Sequence, residues 1–183
     1  MSNCIGMDID DVLVKNPINF WDLFPGVDVS SYAAYEKDYR ASEIKELFSS
    51  TGYYKFGEAK RGAWAFLELF GWVDIPVQLI TARPICVKKE TIDRMLSLFG
   101  IPETRIHFSD GNDKVQIALD LSVTVWVDDN EKDVLRMTKA GIDCFHMINV
   151  PWGKNVVEGA IRSKSLLHVA ATILTNLAGY GFD

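Results

Sequence analysis

Four short polar signals in this chain have residue types and spacing suited to chemistry. They are Asp8-Ile9-Asp10-Asp11, Thr81-Ala82-Arg83, Lys114 and Asp128-Asp129. Three of them end apolar runs, in IGMDIDDV, LITARP and VTVWVDD, and Lys114 opens the stretch KVQIAL. Taken singly each is weak, because an Asp after a strand often serves only a turn or a helix cap. Together they make a specific chemical set. Carboxylates gathered in one place repel each other, and burial raises their pKa values, unless a cation neutralises them. An all-oxygen ligand set favours Mg²⁺, which keeps waters and takes one or two carboxylates plus a substrate phosphate. One carboxylate can then be a nucleophile and a second the general acid for a leaving alkoxide. A Thr hydroxyl, strand-end N–H groups and a Lys can hold the oxygens of a transferring phosphoryl group.

These residues need elements that bring them together. Short apolar runs alternate with amphipathic stretches, which predicts βαβ units and a parallel sheet. Strands are expected at Cys4 to Ile9, Pro76 to Ile80, Arg105 to Phe108, Val123 to Val127 and Asp143 to Ile148. Helices are expected from Pro84 to Phe99, from Asn112 or Asp113 through KVQIALDL, after an Asn130 cap, and from Val156 to Leu177. Parallel strands place their carboxyl ends along one edge, so all four signals can converge there. Lys15 to Lys60 is too long for a simple crossover. It is rich in aromatics, Phe20, Trp21, Phe24, Tyr53 and Tyr54 among them, and has helical patches. It reads as a small helical cap over the strand ends, followed by a crossover helix from Gly62 to Phe70. The expected division is an α/β core of 1–14 and 61–183 with a cap of 15–60.

The ordered motifs resemble the haloacid dehalogenase-like superfamily of Mg²⁺-dependent phosphatases. Its pattern is a strand then DxD, a strand then Thr or Ser, a Lys at a helix start, and a strand then DD. The likeness covers most of the core and omits the insertion and the last helix. The lid position, the RGAWAFLELFGW crossover and the compact size look most like the small cytosolic 5′(3′)-deoxyribonucleotidases. The resemblance implies a three-layer Rossmann-like parallel sheet with a helical cap inserted after the first strand. It implies Asp8 as nucleophile and Mg²⁺ ligand, and Asp10 as acid and then base, its backbone carbonyl facing the metal. Thr81 and the N–H of Ala82 hold the phosphoryl group, and Lys114 pairs with it and with Asp8. Asp129 is implied as direct metal ligand, with Asp128 behind it or acting through water. Asp10 also favours phosphate transfer over dehalogenation, which needs no such acid.

Some residues keep two readings. Asp11 replaces the small residue usual after the second Asp and serves either a turn or a water near the metal. Arg83 either clamps a phosphate or leaving group, bidentately, or forms an ion pair with a neighbouring carboxylate. Asp133 either supports Lys114 or complements the helix dipole. Phe20 and Trp21 either stack a base or pack the cap onto the core. The histidines His107, His146 and His168 are expected to be structural.

Composition narrows the partners. The 183 residues are 48% apolar and 24% charged, ample for one core domain. The net charge of −6 argues against a broad nucleic-acid surface. No run suits a membrane span, and no signal peptide is visible at the start. Three scattered cysteines suggest no disulfide framework or zinc site, hence a reducing cytoplasmic setting with buried thiols. The leading expectation is a Mg²⁺-dependent phosphomonoesterase for a small phosphorylated metabolite, a nucleoside monophosphate first. A polynucleotide 3′-phosphatase and a phosphoacceptor regulatory domain are the alternatives.

Overall fold

The computed structural model of the chain describes residues 3–15, 43, 46–47, 50, 52–110, 113–150 and 155–179. Phe20, Trp21, Phe24 and Asn112 lie outside the described residues, as does most of the insertion.

The central strands are short apolar runs with both faces covered, as parallel sheets require. The elements begin with β1 (Ile5–Met7) of that sheet, then β2 (Val14–Lys15) and β3 (Glu58–Ala59), which form a separate two-stranded sheet. Helix α1 (Ala63–Trp72), β4 (Val77–Thr81), α2 (Lys88–Phe99) and β5 (Ile106–Phe108) follow. Next come α3 (Lys114–Asp120), β6 (Val125–Asp128), α4 (Glu131–Lys139) and β7 (Asp143–Met147). The described chain ends with β8 (Ile161–Ser163) and α5 (Leu166–Leu177). Six strands form one sheet in the order β5-β4-β1-β6-β7-β8, and every pairing in it is parallel.

Two apolar layers hold helices on this sheet. Ile5, Met7 and Leu79 pack with Phe66 and Phe70 of α1, Met95 of α2 and Val169 of α5. On the other face Trp126 and Ile80 pack with Ala118 of α3 and with Val134 and Met137 of α4. This is the expected three-layer α/β fold. Gly6 is required where β1 passes the Trp126 indole. A Cβ there would lie 2.7 Å from Trp126 Cε3 and 2.9 Å from Val123 Cγ1.

Local signals set the helix starts. The Asp113 carboxylate accepts from the Val115 N–H at 2.9 Å and caps α3. The Asn130 side chain accepts from the Lys132 N–H at 3.0 Å and caps α4. The predicted helix from Val156 to Leu177 is wrong in its first half. Ile161–Ser163 extends the sheet beside β7, and α5 begins only at Leu166, capped by Ser165. Gly159, at φ 81°, breaks any helix there, and the open edge of β7 offers main-chain partners that a helix pattern does not register. A second feature not anticipated is the antiparallel pairing of β2 with β3. It joins the residues where the insertion leaves the core to those where it returns.

Candidate active site

The chain runs from β1 through β4 to β5, then returns to the opposite flank of β1 at β6. At such a switch point the connections diverge and leave a crevice at the carboxyl ends of the strands. Met7 pairs with both Leu79 and Val127. Asp8, Thr81 and Asp128 therefore leave the sheet at one edge, on neighbouring strands, and Lys114 arrives from the start of α3. The four sequence signals do converge.

Asp8, Asp128 and Asp129 each offer a carboxylate oxygen, and these oxygens lie within 4.8 Å of one another. All three residues are buried. Among the described residues Asp8 Oδ1 accepts no hydrogen bond although it is buried; the charge of Lys114 Nζ stands beside it at 3.3 Å. Burial raises the Asp8 carboxyl from 3.8 to about 7, with Asp128 and Asp10 adding to the rise and Lys114 opposing it. Burial likewise raises Asp128 to about 6 and Asp129 well above the ordinary range. Closely spaced hard oxygens with raised pKa values and an orphaned buried lone pair fit a divalent cation. Asp10 contributes no carboxylate oxygen to this triad.

Lys114 Nζ is ringed by Asp133 at 3.0 Å, Asp8 at 3.3 Å and Asp128 at 3.4 Å. Burial alone would lower its pKa, but Asp128, Asp8 and Asp133 outweigh that and hold it charged. Asp133 thus supports Lys114 as well as standing in the first turn of α4.

Asp128 is held by the protein at both oxygens. Its Oδ1 accepts from the Asn130 N–H at 2.9 Å and its Oδ2 from the Trp126 indole N–H at 3.1 Å. His146, fully buried on β7, places Nε2 3.2 Å from the Asp129 carbonyl. His107 pairs with Gln78 at 3.0 Å and His168 with Ser163 at 3.0 Å. None of the three enters the acidic triad.

The Thr81 hydroxyl is buried and accepts from the Arg83 N–H at 3.2 Å. Ala82 is exposed at the strand end between them. Arg83 turns away from solvent: its Nε donates to Asp10 Oδ2 at 2.9 Å and its Nη2 to Asp10 Oδ1 at 2.7 Å. Its ion-pair reading is the one the geometry displays. Asp11 has a φ of 54° in a turn where its N–H donates to the Val14 carbonyl at 2.9 Å. Burial raises the Asp11 carboxyl to about 6, so the turn residue also feels the site's charge.

Sequence alone gives four contributors no role at the site, although Tyr53 and Tyr54 count among the aromatics of the insertion. Trp126 read only as an apolar strand residue. Lys60 donates to the Asp11 carbonyl, and its charge acts on Asp11 and Asp129. No motif marks it; its signal is its place where the insertion rejoins the core. Tyr53 and Tyr54 belong to that same returning segment. Burial raises the Tyr53 phenol, as do Asp10 and Asp11, and the Tyr54 ring lies 4.4 Å from the Arg83 guanidinium carbon. Of the cysteines, Cys4 and Cys144 are buried as expected, but Cys86 is exposed, because it lies on the turn after Pro84. Among the described residues no helix is long and apolar enough to cross a membrane.

No protein-family model and no curated protein sequence matches the chain, but solved structures do. One is a HAD-family hydrolase from Deinococcus radiodurans R1 with bound phosphate and sodium. Its TM-score is 0.60 at 16% identity, covering 98% of this chain and 96% of that chain. Another is a D,D-heptose bisphosphate phosphatase from B. bronchiseptica complexed with magnesium and phosphate. It has a TM-score of 0.57 at 16% identity, covering 95% of this chain and 99% of that one. A third is an L-2-haloacid dehalogenase, with a TM-score of 0.60 at 11% identity, covering 94% and 98%. The class defined is therefore that of the haloacid dehalogenase-like fold, and at these identities the likeness is one of fold.

Proposed function

We propose that this chain is a Mg²⁺-dependent phosphomonoesterase that works through an aspartyl-phosphate on Asp8. The observation that carries the reading is the buried Asp8 oxygen without a hydrogen bond, set among Asp128, Asp129 and Lys114. An oxygen so placed is left without a hydrogen bond and lies beside a fixed cation, as a nucleophile attacking an anionic phosphate requires. Asp8, Asp129 and, behind it, Asp128 hold the metal, which supplies charge neutralisation at the transferring oxygens when bound. Asp128, with both oxygens on protein donors, suits the supporting position; Asp129 suits the direct one. Thr81 and the Ala82 N–H take phosphoryl oxygens, and Lys114 balances their charge. Asp10 protonates the leaving oxygen and then takes a proton from the attacking water.

Asp10 favours this reading over dehalogenation. A departing halide accepts no proton in the reaction, whereas an alkoxide does.

In this reading residues 15–60 form a cap that closes over a small substrate and excludes water. The pairing of β2 with β3 forms its stem. A cap of that size suits a small phosphorylated metabolite, with a nucleoside monophosphate first and Phe20 and Trp21 available to the base. The three free cysteines, one exposed, suit a reducing cytoplasm.

The test is a panel of phosphate monoesters, 5′- and 3′-nucleotides included, with Mg²⁺ and with EDTA. Hydrolysis is expected with Mg²⁺ and lost with EDTA. Asp8→Asn is expected to abolish turnover with the fold intact by circular dichroism. Full activity in that variant, or in EDTA, overturns the reading. Preference for 3′-phosphorylated oligonucleotides with steep salt dependence would transfer it to a polynucleotide phosphatase. Stable phosphorylation without turnover would indicate a phosphoacceptor domain.

A further inference from the structure

We propose that Arg83 is a positioning residue for Asp10, holding that carboxylate in place for proton transfer from beneath the returning segment of the insertion. The proposal rests on the phosphomonoesterase reading, in which Asp10 moves the proton.

The geometry is a fork on a carboxylate. Nε and Nη2 of Arg83 take both oxygens of Asp10, which fixes the rotation of the carboxylate as well as its place. The Arg83 side chain is 1% exposed and that of Asp10 is 28% exposed. Arg83 is therefore shut off from solvent, and of the pair Asp10 is the one that reaches it. The remaining contacts of Arg83 are also spent on the protein. Its Nη1 donates to Thr91 Oγ1 at 3.2 Å, from within α2. The Tyr54 ring covers its guanidinium at 4.4 Å, and its own N–H meets the Thr81 hydroxyl. An arginine this buried needs a counter-charge, and Asp10 supplies it. The three guanidinium donors committed in this way are not available to a substrate phosphate. They orient the group that acts on one, and they connect it to Thr81 and to the segment bearing Tyr54.

The proton steps show what is oriented. In the first, an Asp8 oxygen forms the bond to phosphorus and the bond to the leaving oxygen breaks. The proton on Asp10 passes to that leaving oxygen. In the second, a water oxygen bonds phosphorus, the Asp8–phosphorus bond breaks, and the water's proton passes to Asp10, which is restored. With the proton on one oxygen, the other still accepts from Arg83, so one of the two hydrogen bonds holds Asp10 in the protonated state and both hold it in the ionised state.

The test is rapid-mixing kinetics of wild type, Arg83→Gln, Arg83→Lys and Asp10→Asn with Mg²⁺ and two probes. 4-Nitrophenyl phosphate has a leaving group that departs without a proton; β-glycerophosphate has one that requires it. With the first probe, Arg83→Gln is expected to release one nitrophenolate per chain at the wild-type rate. It then turns over roughly 10²-fold slower, since water activation fails. With the second, turnover falls by a similar factor with no burst. Asp10→Asn is expected to match this pattern, and Arg83→Lys, which keeps the charge but loses the fork, to recover only part of the rate. The proposal is overturned if Arg83→Gln slows the burst and raises KM for both probes alike, the mark of a substrate contact. Wild-type behaviour in both Arg83 variants overturns it too. Should Arg83→Gln fail to fold, Arg83→Lys retains the buried charge and carries the same burst test. If wild type hydrolyses no phosphate monoester, these two probes and the 5′- and 3′-nucleotides included, the phosphatase reading falls first; if it hydrolyses both probes and no split appears, only the role of Arg83 falls.

Discussion

The Trp126 indole N–H donates to Asp128 Oδ2 at 3.1 Å, tying the helix-covered core to the acidic triad. Trp126 is fully buried among Ile80, Val134 and Met137, so the packing of that face sets the position of a candidate metal-binding carboxylate. Trp126→Phe keeps most of the apolar contact and removes the donor. Stability is expected to fall by about 1–3 kcal/mol, the cost of a buried acceptor losing a partner. Metal affinity is expected to fall about 10-fold, as for other outer partners of metal ligands. Urea unfolding and Mg²⁺ titration calorimetry check the two effects.

Gly6 faces that same indole. In Gly6→Ala the new Cβ begins 2.7 Å from Trp126 Cε3, so the ring must move. Overpacking of this kind costs about 1–3 kcal/mol. Because the ring carries the Asp128 hydrogen bond, metal affinity is expected to fall along with the melting temperature. Unchanged Mg²⁺ binding in a folded Gly6→Ala protein would break the proposed link between core and site.

Lys114 is the common partner of Asp8, Asp128 and Asp133. Lys114→Met leaves buried carboxylates without their cation, a loss of about 3–5 kcal/mol for a buried pair. The metal-free variant is expected to unfold at much lower denaturant than wild type and to regain part of the difference with Mg²⁺. Equal stability of the two metal-free proteins would contradict this assignment of charge.

The raised carboxyl groups make stability depend on pH. A group whose pKa is higher folded than unfolded favours the folded state at low pH and loses that advantage as pH rises through the folded value. For Asp8 this window runs from 3.8 to about 7; Asp11 and Asp128 add to it up to about 6. The metal-free protein is therefore expected to lose stability across this range. A divalent cation favours the ionised forms, so its stabilisation grows over the same window. Thermal melts at about pH 5 and about pH 8, with EDTA or Mg²⁺, are expected to show the larger Mg²⁺ shift at the higher pH. An equal shift at both would count against cation binding by these groups.

Much of this protein is determined by its sequence alone. Strands β1, β4, β5, β6 and β7 stand within about two residues of their expected bounds, since buried parallel strands are local apolar runs. Asp113 and Asn130 cap helices where their types and spacing say they should. The order of Asp8, Thr81, Lys114 and Asp128-Asp129 along strand ends and a helix start was enough to predict their convergence, because parallel topology sends strand ends to one edge. The tertiary structure decided which charge meets which. Arg83 and Asp10 are 73 residues apart, and a clamp for phosphate reads the same in sequence as a grip on a carboxylate. Lys114 acquires Asp133 as well as Asp8 because α3 and α4 pack on the same face. Trp126 becomes a donor to Asp128, and Ile161–Ser163 a sixth strand, only beside their neighbours. Local propensity extends a few residues along a chain; register, burial and side-chain direction across the sheet are settled only when distant segments pack.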